Sequence, residues 1–446
     1  MSARGEFSSR IGFVLAAAGS AVGLGNIWGF PTKVAENGGA AFVLMYLVMA
    51  FLLAYPVLMA ELIIGRAKRA NMVDALGSIS SNKLTNNLGR FTGVMGVVTV
   101  IGILAFYSIV AGWMIAHLAD AAVSLVGLEI AWFTEFSISR NMIFSAIFLG
   151  LTAFVVAGGV SNGIERWSVR LMPTLFGIII ALIIYVSFQD GAAEGWRVYL
   201  LPDFNQILNP SLLLDAMGQA FFSMSLGVGT MLVYGSYIRK QEHLPKLGAS
   251  VALVDIGVAV VAGMLIIPAM YVAANNGVQI FTDNGSLIQG GSLIFNVLPA
   301  LFDSISVGGH LVATLFFALM VIAAITSSIS MLEVPVAFLV DNRKFARSRA
   351  TILVVLFVLV VSASIVYNFD LLFERVISIT TEYSQPLLGL VLCIFAGWVW
   401  RRDSILQELQ QGDERAHLGL FWKIWPWYVK FICPLVIAFM FYRSLA

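Results

Sequence analysis

Eleven apolar runs of spanning length, about 20 residues or more, fill the chain near 11–32, 40–65, 91–123, 141–158, 169–188, 211–237, 248–274, 307–339, 350–367, 377–400 and 425–445. Such runs match the hydrocarbon thickness of a bilayer. Lipid offers backbone groups no partner outside a helix or a closed barrel. Apolar residues make up 59% of the chain and charged ones 11%, against roughly 25% charged in a soluble domain. The chain therefore reads as an all-α polytopic membrane protein of eleven transmembrane helices.

The charges fall in clusters between the runs, and positive residues gather on alternate sides. Arg4, Arg10, Arg66, Lys68, Arg69, Lys83, Arg90, Arg166, Arg170, Arg239, Lys240, Lys246, Arg343, Lys344, Arg347, Arg349, Arg401, Arg402, Arg415 and Lys423 share one side, 20 of the 26 basic residues. Positive loops stay inside, so the amino terminus is expected in the cytoplasm and the carboxyl terminus outside. A net charge of +1 with no basic face argues against a nucleic-acid partner. Cys393 and Cys433 lie within apolar spans and read as buried thiols. No small-residue cleavage site precedes the first run, which reads as a retained span. Two outer loops are long, 189–210 and 275–306. Gly285, Gly290 and Gly291 interrupt short apolar stretches in the second, which fits either small helices folded over a vestibule or a solvated loop. The stretch from Arg401 to His417 reads as an ordinary cytoplasmic connector.

The first run is not a plain helix. Between Gly19 and Pro31 it holds Gly19, Gly23, Gly25 and Gly29, and Asn26 sits among them. Glycine and proline weaken the helix ladder where lipid tolerates no loose backbone, so protein or water must cover the freed groups. Broken helices at membrane depth mark binding sites; the plain alternative is a glycine-rich packing face. The sixth run repeats the pattern: Ala21-Val-Gly-Leu-Gly-Asn26 and Ser225-Leu-Gly-Val-Gly-Thr230 each read small, apolar, Gly, apolar, Gly, polar. Paired interruptions at the first and sixth spans fit two five-span repeats of inverted topology. The halves would cover 1–190 and 211–400, with 401–446 supplying the connector and an eleventh helix.

Facing half-helices offer N–H groups to a carboxylate and unwound carbonyls to a cation, so an amino acid with sodium would use both. Thr326 and Ser327 in the eighth run add oxygens, although such hydroxyls often only bond back to the preceding turn. Asp255 lies among Val, Ala, Leu and Ile, where an ionised carboxylate costs a few kcal/mol or more without a cation or donor. A protonated structural aspartate is the alternative. Glu61 and Glu333 read as helix-packing or gating groups. The four histidines are scattered, which supports neither a metalloenzyme nor a zinc site.

With these residues in view, the chain from Arg4 to about Trp400 resembles the neurotransmitter:sodium symporters, and among them the bacterial leucine-transporter-like members. The likeness rests on Ala21-Val-Gly-Leu-Gly-Asn26 with Phe30-Pro31, Glu36-Asn-Gly-Gly39, Ser225-Leu-Gly-Val-Gly229, Gly235-Ser-Tyr-Ile-Arg-Lys240 and Thr326-Ser-Ser328. It implies a first sodium site formed by the Ala21 carbonyl, Asn26, Ser223 and Asp255, completed by the substrate carboxylate. An acid at 255 resembles chloride-independent members, so chloride is not expected to be required. The likeness also implies a second sodium between the carbonyls of Gly19, Val22 and Ala323 and the hydroxyls of Thr326 and Ser327. Both sets are oxygens, as a hard cation demands.

By the same likeness Tyr107 would hold the substrate carboxylate and Phe222 would form a lid. Ser20, Ala21, Gly23, Gly25, Ile103, Ser223, Ser225, Val228, Ser327 and Met331 would line the pocket, with backbone from Leu226 and Gly227. Arg4, Phe7, Ser236, Tyr237 and Asp341 would make the inner gate, Arg4 pairing with Asp341. Two features depart from the family pattern: Gly29 stands where an outer-gate arginine is usual, and the tenth span does not align cleanly. The resemblance implies a sodium-coupled symporter of the bacterial inner membrane that imports a small neutral, hydrophobic amino acid by alternating access. The missing arginine leaves open a carrier of another amine or amino-acid-like solute of the taurine or betaine type. An ion channel is disfavoured by the echo within one chain. An enzyme is not expected, since no nucleophile–base pairing stands out.

Overall fold

A computed structural model describes residues 5–128, 130–202, 204, 209–280, 295, 297–304 and 308–445. Among them nine helices are long and apolar enough to cross a membrane: Ala40–Lys68, Lys83–Ser124, Ile138–Ala157, Val160–Ser187, Leu244–Asn275, Gly309–Arg343, Arg347–Tyr367, Phe369–Val399 and Leu420–Arg443. A tenth crossing is the bent pair Arg10–Ala21 and Gly25–Glu36, which meet at 57°. The sixth apolar run is two short helices, Pro210–Ser223 and Thr230–Gly235. Neither piece spans alone, so a total of eleven rests on counting the two as one crossing.

Most helices reach beyond the apolar runs that mark them. The third begins at Lys83 instead of 91 because Asn82 caps it, its Oδ1 accepting from Leu84 N at 2.9 Å. Ser137 caps Ile138–Ala157 in the same way, accepting from Arg140 N. Hydropathy marks only the lipid-level part of a helix, while caps set its ends. The first helix, with Ser9 as its cap, is buried on most faces and packs against Val160–Ser187, Leu244–Asn275 and Gly309–Arg343.

One end of the bundle collects the basic clusters, and there the stretch 401–417 is more than a connector. Its helix Arg402–Gln410 presents Glu408, which is buried. Glu408 accepts from Arg66 Nε at 2.6 Å and from Lys240 Nζ at 2.7 Å. The Arg66 guanidinium, wholly buried, also donates to the carbonyls of Glu242 and Glu408. A polar segment read as an ordinary connector thus closes over the end of the second span. At the opposite end the loop 189–210 contains the helix Ala192–Leu200. Its Tyr199 hydroxyl donates to Val260 O at 2.7 Å, and Gly195 lets its backbone lie against Pro268. Of the loop 275–306, the short helix Leu298–Ser304 is described; Gly285, Gly290 and Gly291 lie outside the described residues. The thiols of Cys393 and Cys433 are both buried and free.

Candidate functional site

Both glycine patterns break their helices, for different physical reasons. In the first span the ladder runs out at Val22, whose N–H donates to Ala18 O, and resumes at Gly25. Gly23 is required there by space: a Cβ would lie 2.5 Å from Ser327 Oγ and 3.0 Å from the Tyr107 hydroxyl. In the sixth span residues 224–229 turn through the left-handed region, with φ of 51° at Ser225, 90° at Gly227 and 82° at Gly229. Only glycine adopts such angles freely. The freed N–H groups of this second break are met by Glu61, whose carboxylate accepts from Gly227 N at 2.7 Å and Leu232 N at 3.1 Å. Glu61 is therefore an N-terminal cap supplied from another span.

The two breaks meet. Ser225 Oγ donates to Ser20 O at 3.2 Å, and Ser327 Oγ donates to the same carbonyl at 2.8 Å. On one side Asn26, Ser223 and Asp255 converge, all buried. Asn26 Nδ2 donates to Asp255 Oδ1 at 2.7 Å and to Ser223 Oγ at 2.9 Å, and Ser223 Oγ donates to Asp255 Oδ2 at 2.8 Å. The Tyr46 hydroxyl, unforeseen from sequence, stands 3.3 Å from Ser223 Oγ. On the other side Thr326 Oγ1 lies 3.0 Å from Ala323 O and 3.4 Å from Val22 O, and Ser327 Oγ lies 3.4 Å from Val22 O. Gly19 packs directly on Thr326, where a Cβ would come within 3.2 Å of the threonine Cβ.

Between these groups lies a cavity of about 30 Å³. Its wall takes in Ala21, Gly23, Gly25, Ile103, Tyr107, Phe222, Ser223, Ser225, Val228, Ser327 and Met331. Leu24 and Gln385 also line it; sequence reading missed both. Three expected residues stand off the wall. Ser20 turns its hydroxyl to Ser330 Oγ at 2.6 Å and presents only its carbonyl to the breaks. Leu226 is wholly buried, and Gly227 spends its N–H on Glu61. The Tyr107 hydroxyl accepts from Leu24 N at 3.3 Å. Phe222, 38% exposed, separates this cavity from a wider one of about 470 Å³ lined by Lys33, Asp215, Gln219, Glu382 and Arg443. Beside Gly29 sits Gln219, whose Nε2 donates to Gly25 O at 2.8 Å; it fills the region where the resemblance leads one to look for an arginine. A larger cavity of about 660 Å³, walled by Trp113, His117, Asp120, Arg140 and His310, shares no lining residue with either break.

At the basic end Phe7 N donates to Tyr237 O at 3.2 Å, and its ring packs edge-on against Tyr234 and Tyr237. Ser236 is buried nearby, its hydroxyl donating to Val233 O. Asp341 accepts from Asn71 N at 3.0 Å; Arg4, its expected partner, lies outside the described residues. The Tyr237 hydroxyl donates to Glu333, which also pairs with Arg347. Glu165 receives Ser8 N at 2.6 Å, Ser8 Oγ at 2.7 Å, Ser9 N at 3.1 Å and Ser9 Oγ at 3.0 Å, fastening the amino-terminal segment across this end.

The sequence model of the sodium:neurotransmitter symporter family matches residues 4–135 and 137–446. The sodium-dependent transporter YhdH of Bacillus subtilis is 34% identical, over 98% of this chain and 96% of its own length. A sodium-dependent transporter of Haemophilus influenzae is 31% identical over 99% of this chain and 98% of its own. The crystal structure of MhsT in complex with L-phenylalanine superposes with a TM-score of 0.84 at 34% identity, covering 99% of this chain and all of that one. Two helices broken face to face, with a match over nearly the whole length, lead to one conclusion: the chain belongs to the sodium:neurotransmitter symporter family and is a multi-pass, sodium-dependent membrane transporter.

Proposed function

We propose that this symporter carries a small neutral, hydrophobic amino acid inward together with two sodium ions. The observation that supports it most is the convergence of both breaks on one cavity, with two separate oxygen clusters at its edge. The cluster of Asn26, Ser223 and Asp255, with the Ala21 carbonyl, would hold the first sodium. That of Val22, Ala323, Thr326 and Ser327, with Gly19, would hold the second. Hard monovalent cations favour such oxygen sets. Asp255 brings a fixed negative charge to the first, so chloride is not needed to balance the ion.

The amino acid would lie between the breaks, its carboxylate on the Tyr107 hydroxyl and the first sodium, its side chain against Ile103, Val228 and Met331. That wall holds no charge to pair with an ionic side chain. MhsT, similar over its whole length, was crystallised with L-phenylalanine, which fits this chemistry. A cavity of about 30 Å³ has room for little more than one water, so loading requires Phe222 to move and join the cavity to the wider one beyond it. Sodium would favour that open state, and loss of the second ion would release Thr326 and Ser327 to open the opposite path. The basic end, closed here by Phe7, Tyr237 and Glu165, would face the cytoplasm of a bacterial cell.

Purified protein in liposomes tests the reading: an inward sodium gradient is expected to drive accumulation of labelled neutral amino acids. Equal accumulation with potassium in place of sodium would falsify it.

A further inference from the structure

Apart from Ser225, whose hydroxyl is spent on the Ser20 carbonyl, Gln385 is the one polar side chain of the cavity wall that neither the ion clusters nor the Tyr107 end employ. It begins the helix Gln385–Ile394, directly before Pro386, and lines both the closed cavity and the wider one beyond Phe222. Its carbonyl lies against Gly227, where a Cβ would come within 2.4 Å of it, which sets Gln385 beside the second break and near Val228. The residue is 2% exposed, and its Oε1 is buried without a hydrogen-bond partner among the described residues. A buried acceptor left unmet is a standing penalty that leucine or methionine would avoid at similar volume.

The side chains of Ile103, Val228, Met331 and Phe222 make the apolar part of the same wall, whose other polar members are Tyr107, Ser223, Ser225 and Ser327. A buried acceptor on such a wall discriminates strongly, since a solute without a donor leaves it unpaired. We propose that Gln385 is a specificity-determining residue whose Oε1 accepts a hydrogen bond from the substrate side chain. The preferred solutes are then neutral amino acids whose largely apolar side chain carries one hydroxyl or ring N–H, as tyrosine, tryptophan and threonine do. This rests on the assignment of the cavity as the amino-acid site and narrows the substrate class within it.

The test is sodium-driven uptake and competition in liposomes with solute pairs that differ by one donor, tyrosine against phenylalanine and threonine against valine. Wild-type protein is expected to favour the donor-bearing member of each pair by about tenfold or more. Gln385→Leu and Gln385→Met, which remove the acceptor while keeping bulk, are expected to bring the ratio to about one or reverse it. Sodium-dependent uptake with wild-type preference for phenylalanine and valine would overturn the role of Gln385 and leave the symporter reading standing. Ratios unchanged in both variants would overturn it as well. Absence of sodium-dependent uptake for every amino acid would sink both, and the wild-type ratio decides the matter even if neither variant folds.

Discussion

Asp255 takes its meaning from what surrounds it. Two donors, the Asn26 amide and the Ser223 hydroxyl, hold its carboxylate in a buried position, an arrangement suited to charge and to a cation sharing the same oxygens. Asp255→Asn removes the charge and is expected to weaken apparent sodium affinity by about tenfold or more, equivalent to about 1.4 kcal/mol. Added chloride should restore part of it, and uptake measured across sodium concentrations with and without chloride checks both. Unchanged sodium dependence would make Asp255 a structural residue. Gly23→Ala probes space instead of charge: the new methyl would collide with Ser327 Oγ and crowd the Tyr107 hydroxyl. Overpacking of this kind costs about 1–3 kcal/mol, and here it falls on the proposed site. Loss of sodium-stabilised substrate binding in a scintillation assay, with helical content retained, is the expected result. Asp255 was legible in the sequence because a carboxylate stands out in an apolar run. Tyr46 and Gln385 were not, because aromatic and amide side chains in a membrane helix gain a role only from their neighbours.

The broken sixth element would not hold its shape alone. Its second piece, Thr230–Gly235, is six residues long, far below the length at which a helix persists without help. Glu61 supplies that help by taking two N–H groups at once. Glu61→Ala leaves both donors without their partner and is expected to cost about 1–3 kcal/mol for each. A drop in thermal midpoint in detergent, larger than that of Glu61→Gln, checks it. The amino-terminal segment depends in a similar way on Glu165, which fits over Gly12, where any Cβ would strike its carboxylate. Glu165→Ala is expected to speed amide exchange across residues 8–13 by about tenfold or more, since Glu165 holds both Ser8 and Ser9 while Glu6 and Phe7 keep their own ties to Arg69, Ser161 and Tyr237. Unaltered exchange would mean that the contacts of Glu6 and Phe7 suffice to hold it. Sequence reading found the two interruptions but treated them as one device. Coordinates separate them: close approach alone demands glycine at Gly23, whereas Gly227 and Gly229 combine positive φ with equally close neighbours.

At the level of the whole molecule, Arg66 and Glu408 join the second span to a helix 342 residues away in sequence. Removing Arg66 leaves Glu408 to Lys240 alone and takes the donor from the carbonyls of Glu242 and Glu408, at about 1–3 kcal/mol for each buried group left unmet. Arg66→Ala is accordingly expected to lower the thermal midpoint well beyond the effect of an exposed substitution such as Arg170→Ala, measured side by side in the same detergent. Membership of the helical membrane class, the approximate position of each apolar run and the two weak points were written into the chain itself. Lipid imposes local rules there: a run must be apolar and must satisfy its own backbone, and both conditions are visible residue by residue. Which oxygens share a cluster, that Ser20 offers only its carbonyl, and that the stretch after Trp400 folds back as a lid on Arg66 were decided by packing alone. Those pairings join residues up to hundreds of positions apart, and no periodicity or composition encodes a distance between side chains on different helices.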